Sequence, residues 1–202
     1  SCFTSFNQFA YFSCMKKSFL SVVLLMSILL SCVQSKKDLE YNYLVNNWEF
    51  SQEGDSVWKP ATIPGTVQTD LLNLGEIPHP FIGTNEDSIQ WVSETNWHYK
   101  TKVSITEETL LKSKHFLRFE GLDTYADIYL NDSLIMKTNN AFRSLEVDVS
   151  KVLKLENELK IILYSTDLFE KTETEKLDYE LPESPRVFTR KPQYQYGWDW
   201  GP

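Results

Sequence analysis

In Asn96–Thr106, NWHYKTKVSIT, the side chains of Trp97, Tyr99, Thr101, Val103 and Ile105 fall on one side of an extended backbone, and Lys100 and Lys102 fall on the other. A repeat of two sustained over this length fits a pleated strand with one buried face; it does not fit a helix, whose apolar positions recur every three to four residues or so. The same alternation runs through Asn47–Gln52, where Trp48 and Phe50 alternate with polar neighbours, and through Lys114–Glu120, Thr124–Leu130, Leu134–Thr138, Ser144–Val149 and Glu158–Ser165. Asn131-Asp132-Ser133 supplies a turn between the fourth and fifth of these segments. Helix is confined to short pieces: Val67–Asn73 after Thr66, a turn near Asn85–Trp91, and Glu107–Lys112, where Thr106 caps a start that favours Glu107 and Glu108. Successive strands without strand-helix-strand alternation predict an all-β fold, an antiparallel β-sandwich or jelly roll with a few short helices.

The core has enough material, since 42% of the 202 residues are hydrophobic and 14% aromatic. It holds without covalent help. Cys2, Cys14 and Cys32 all precede the strands, so neither a disulfide framework nor a thiolate metal site is available there. With 28 acidic against 20 basic side chains and a net charge of −8, no basic face is expected to neutralise phosphates, which excludes nucleic acid as a partner.

Ahead of the strands lies a different kind of sequence. Met15 is followed by Lys16-Lys17 and the apolar run Phe19–Leu30, FLSVVLLMSILL, then by Leu29-Leu30-Ser31-Cys32. A basic start and an apolar run too short to span a bilayer comfortably read as a secretory leader. The small residue before Cys32 resembles the lipobox of bacterial lipoproteins, whose cysteine becomes the acylated N-terminus. The expected organisation is read-through over 1–14, a lipoprotein signal over 15–32 with Cys32 as the lipidation site, a polar tether over 33–40, a sandwich domain over 41–183 and an arm over 184–202. An uncleaved anchor and a simple cleaved signal are the alternatives. Contact with membrane is expected only through the lipid, on the periplasmic side of the outer membrane of a Gram-negative bacterium.

Residues 166–183 read as a charged, poorly periodic stretch, and the arm beyond it is rich in proline and aromatic residues. The chain reaches Tyr194-Gln195-Tyr196-Gly197-Trp198-Asp199-Trp200-Gly201-Pro202, in which one carboxylate stands between two indoles. Sugar rings present C–H faces that stack on indoles and hydroxyls that need fixed acceptors, so this triplet suits a sugar clamp; an aromatic plug in a domain interface is the other reading. Flanked by indoles, Asp199 needs donors such as sugar hydroxyls, Arg190 or Lys191 to stay ionised. His79, His98 and His115 are scattered singly, and no phosphate loop, nucleophile elbow, zinc helix or paired-carboxylate signature occurs; no metal or cofactor is expected.

Several blocks, WKPATIPGTVQTD (58–70), IPHPFIGTN (77–85), WHYK (97–100), FEGLDTYADIYLN (119–131) and TRKPQYQYGWDWGP (189–202), resemble in order the N-terminal domain of family 2 β-mannosidases. The resemblance implies a galactose-binding-like jelly roll that packs in the complete enzyme against a (β/α)8 barrel absent from this chain, and a retaining exo-mechanism on terminal β-linked mannose. It also implies that both catalytic glutamates lie on the barrel, so that residues 1–202 carry no catalytic residue and are inactive alone. Trp198, Asp199 and Trp200 then line the subsite for the terminal mannose of a β-mannoside or glycan, with Arg190 supporting Asp199. A free-standing sugar-binding lipoprotein, or a family 2 exo-enzyme for another sugar such as a β-galactosidase or β-glucuronidase, are the alternative expectations.

Overall fold

The structure, a computed structural model, describes residues 42–182 and 185–197. The expected leader, Cys32, most of the segment before the sandwich, and the triplet Trp198, Asp199 and Trp200 therefore lie outside the described residues. Contacts separate Ser1–Tyr43 from Leu44–Pro202, and the fold is that of the second unit.

Among the described residues eight strands form: β1 Trp48–Gln52, β2 Lys59–Ala61, β3 Trp97–Ser104, β4 Phe116–Phe119, β5 Tyr125–Leu130, β6 Ser133–Asn139, β7 Leu145–Asp148 and β8 Glu156–Tyr164. Six of them make one antiparallel sheet in the order β2-β1-β3-β8-β5-β6, while β4 and β7 pair separately. Alternation decides which side of each strand is buried. Trp97 and Tyr99 of β3, Ile128 and Leu130 of β5 and Leu159 and Ile161 of β8 enter one core with Phe50 of β1, and Leu117, Phe119 and Val147 of the small sheet pack against it. The sandwich expected from the sequence is thus present, with each fully buried large side chain contributing about 1.5–3 kcal/mol.

Local chemistry sets the turns and caps. Asn131 and Asp132 both take positive φ, 50° and 64°, and Leu130 pairs with Ser133, which is the primed two-residue hairpin that matches strand twist. The Asn131 amide is committed inward: its Nδ2 donates to the Val152 carbonyl at 2.8 Å and to Asn157 Oδ1 at 2.9 Å. Helix α1, Val67–Asn73, starts on a capping box in which Thr66 Oγ1 accepts from Thr69 N and Thr66 N donates to Thr69 Oγ1. Further on, α2 covers Asn85–Ser88 and α3 covers Glu107–Leu110, the latter capped by Thr106 as its sequence predicts.

Two elements depart from the sequence expectation. β2 is a short strand at the sheet edge, where Pro60 opposite Glu49 is tolerated because one side of an edge strand needs no ladder bond. Residues 166–174 form a helix, α4 Thr166–Thr174, capped by Ser165 Oγ accepting from Leu168 N at 3.1 Å. Its buried positions are Thr166 and Glu170, one turn apart and both polar. Such a face leaves no apolar period to read.

Candidate functional site

Helix α4 begins where β8 ends, and it is held to the rest of the domain by polar contacts. Ser165 Oγ donates to the Ser93 carbonyl at 2.6 Å, and Ser93 Oγ donates to Asp167 Oδ2 at 2.6 Å. This fixes the helix that carries Phe169 and Glu170, which face β5 and the arm respectively. Phe169 packs its ring on Tyr125 of β5, with centroids 4.1 Å apart. The Tyr125 hydroxyl continues outward and donates to the Phe188 carbonyl at 3.0 Å.

The arm itself runs through a tight turn at Pro185–Phe188 to Thr189, which is 2% exposed. Next, Arg190 forms a parallel bridge with Asn140, and its carbonyl accepts from Ala141 N at 2.9 Å. A second turn, Gln193–Tyr196, brings the Tyr196 hydroxyl onto the carboxylate of Glu170, to which it donates. Glu170 is 3% exposed. Burial, and then this carboxylate acceptor, push the Tyr196 hydroxyl well above the usual phenol range, so it remains a donor at neutral pH. Lys191 adds a third hold, with Nζ 4.0 Å from an Asp123 carboxylate oxygen and 5.1 Å from the centroid of the Tyr196 ring.

Of the residues singled out by sequence, Arg190 lies within this clasp with its side chain exposed, and it is the backbone of Arg190 that joins the sandwich. Trp198, Asp199 and Trp200 follow directly on Gly197, the last described residue. Lys191, offered by the sequence as a donor for Asp199, is engaged with Asp123 and Tyr196. Tyr194 is exposed and Tyr196 is turned onto α4, so the two tyrosines of the quoted run have different jobs. Sequence reasoning missed Tyr125, Phe169 and Glu170; the available signal was Ser165 followed by Asp167, a cap and a first-turn acid.

A groove of about 530 Å³ opens between α4 and the arm, lined by Asp167, Glu170, Thr174, Glu175, Pro185 and Tyr196. Its two best-placed carboxylates are already occupied, Asp167 by Ser93 and Glu170 by Tyr196. They hold structure and do not flank an open bond-cleaving site. Among the described residues no group of three or more His, Cys, Asp or Glu side chains is placed to hold a metal ion. His115 Nε2 lies 2.7 Å from the Thr109 carbonyl, and His79 Nδ1 accepts from Phe81 N at 3.4 Å.

With this geometry the chain can be compared with known proteins. A family model described as "Glycosyl hydrolase 2 galactose-binding domain-like" matches residues 48–202, from β1 through the arm and the triplet. The beta-mannosidase B of Thermothelomyces thermophilus is 39% identical over 168 residues, covering 79% of this chain and 20% of that protein. The beta-mannosidase of Rattus norvegicus is 34% identical over 170 residues, covering 79% of this chain and 19% of that protein. The crystal structure of the beta-D-mannosidase from Dictyoglomus thermophilum superposes with a TM-score of 0.77 at 42% identity, covering 81% of this chain and 21% of that one. This chain spans about a fifth of the length of the curated relatives it matches.

Proposed function

Because the chain belongs to the glycosyl hydrolase 2 galactose-binding domain-like family, we propose that it is the sugar-facing N-terminal part of a retaining exo-β-mannosidase that removes terminal β-linked mannose. The observation that carries this reading is the reach of the family match, which extends to residue 202 and so takes in the indole–carboxylate–indole triplet. Trp198 and Trp200 offer flat apolar faces to the C–H side of a pyranose, and Asp199 accepts from its hydroxyls. Arg190, whose backbone is fixed to the sandwich, is assigned to support Asp199 with its positive charge. Bond cleavage belongs to a pair of glutamates on a barrel domain, one as acid and base and the other as nucleophile. Residues 1–202 alone therefore bind sugar weakly and do not hydrolyse it. The proposal includes export to the periplasm and acylation of Cys32, which anchors the protein by the buried methylenes of its lipid.

The test uses 4-nitrophenyl glycosides. Purified residues 1–202 are expected to release no nitrophenol from the β-mannoside, and the complete enzyme is expected to prefer the β-mannoside over the β-galactoside and β-glucuronide. Turnover by residues 1–202, or preference of the complete enzyme for another sugar, overturns the assignment. Incorporation of a labelled fatty acid that is lost on Cys32→Ser tests the anchor, and labelling unchanged by that substitution removes it.

A further inference from the structure

We propose that the hydrogen bond from Tyr196 to Glu170 is the positioning contact of the sugar-binding triplet: it fixes the arm two residues before Trp198, and so sets the affinity for the terminal sugar through residues that do not touch it. This rests on the assignment of Trp198, Asp199 and Trp200 to the mannose subsite.

Three features give this contact its role. First, the anchor is rigid on its α4 side. Glu170 is buried on a helix that is itself tied to the Ser93 turn through Ser165 and Asp167. Phe169, its neighbour in sequence, packs its ring against that of Tyr125 of the large sheet. Second, the donor is bound to its task, since burial and the facing carboxylate hold the Tyr196 hydroxyl protonated. A neutral donor on a carboxylate is among the stronger hydrogen bonds a protein makes, and removing it leaves a buried carboxylate short of a partner. Third, it is the last hold on the arm among the described residues. The Tyr125–Phe188 and Arg190–Ala141 contacts secure the arm several residues earlier, and between them and Trp198 the chain makes a further turn at Gln193–Tyr196. Besides Glu170, that turn is oriented by a side-chain hydrogen bond between the Tyr196 hydroxyl and Thr189 and by Lys191 over the Tyr196 ring, and of these only Glu170 is carried on α4. Binding of a ring between two indoles depends on placement within about 0.5 Å, so a free hinge at this point lowers affinity while leaving the distant bond-cleaving groups intact.

The experiment is a double-mutant cycle in the complete enzyme, read as KM and kcat on 4-nitrophenyl β-D-mannopyranoside, with melting temperature recorded for each variant. Tyr196→Phe is expected to raise KM about tenfold, with kcat within about twofold, an effect equivalent to ~1.4 kcal/mol. Glu170→Ala is expected to do the same, Glu170→Gln to restore KM because it keeps an acceptor oxygen, and Tyr196→Phe/Glu170→Ala to be no worse than either single change. A merely structural contact would move the melting temperature and leave KM in place. KM unchanged in Tyr196→Phe while Asp199→Ala raises it overturns the positioning role and spares the subsite; so does a double variant whose effect is the product of the two singles. KM unchanged in Asp199→Ala removes the subsite and the positioning role together.

Discussion

The rings of Tyr125 and Phe169 meet with centroids 4.1 Å apart and planes tilted by 34°, so a strand inside the large sheet is joined directly to the helix that grips the arm. The Tyr125 hydroxyl extends the same link to the Phe188 carbonyl. One phenol therefore ties β5, α4 and the arm together. Tyr125→Phe keeps the stacked pair and loses one partly buried hydrogen bond, an expected cost of about 1 kcal/mol. Phe169→Ala loses the ring pair and the area it covers, an expected cost of about 2 kcal/mol for a half-buried ring. Urea unfolding checks the order. If Tyr125→Phe were the more damaging change, the carbonyl contact and not the ring stack would be holding the arm.

Asn157 is expected to be a far more sensitive position than its polarity suggests. It is 5% exposed, and its amide is fully used: Oδ1 accepts from Lys154 N at 2.8 Å and Asn131 Nδ2 at 2.9 Å, and Nδ2 donates to Lys154 O at 2.7 Å and Val103 O at 3.0 Å. It closes β8 against β3 and holds the hairpin between β5 and β6 at once. Asn157→Leu preserves volume but leaves several backbone groups and one Asn131 Nδ2 hydrogen without their partners, with an expected loss of about 3 kcal/mol in denaturant unfolding. A loss under about 1 kcal/mol would mean that solvent reaches these groups after all.

These two networks differ in how far they could be read beforehand. The β3 strand was legible because Trp97, Tyr99 and Thr101 are buried while Lys102 is exposed, a burial pattern that the residue types mirror one for one. Helix α1 was legible for the same kind of reason, since Thr66 and the following residues carry their own cap. Helix α4 hid because it buries Thr166 and Glu170, and a face built of hydrogen bonds has no hydrophobic period. The clasp hid more completely. Tyr125 and Thr189 are joined by folding alone, and nothing local to either residue announces the other. Composition suggested a role for the triplet itself, but which groups steady the chain before it is a tertiary fact.

His98 introduces a pH dependence with a definite sign. It lies on the outward side of β3, opposite Ser51 and Ile162, and its buried Nε2 has no hydrogen-bond partner among the described residues, standing 3.9 Å from Glu53 Oε1. Burial first, and then the Lys160 ammonium, push its pKa below the ordinary 6.5, with Glu53 opposing. The unfolded chain therefore binds this proton more readily than the folded one, so the contribution to stability is complete above 6.5 and is lost as pH falls through 6.5 to the folded value. The melting temperature is expected to rise as pH increases towards 6.5 and to level off above it, and His98→Leu is expected to flatten that rise. An identical slope in the variant would place the responsible proton elsewhere.

Gly197 and Gly54 together separate backbone strain from function. Their φ values are 94° and 84°, and a Cβ built on either would meet no atom of the described residues within 4 Å. Alanine at each is penalised by the backbone alone, by about 1 kcal/mol or somewhat more, and not by collision. Gly54 follows β1 on the way to β2 and has no connection with the arm, whereas Gly197 sits between the Tyr196 anchor and Trp198. Under the proposed assignment, Gly54→Ala is therefore expected to lower the melting temperature and leave the KM of the complete protein for 4-nitrophenyl β-mannoside unchanged. Gly197→Ala is expected to raise KM about tenfold, because the readiest relief of its strain is to change the direction in which the chain leaves the anchor. Equal KM values for the two variants would show that the proposed subsite tolerates a shift in the chain entering it, and the positive φ at Gly197 would then be a matter of stability alone.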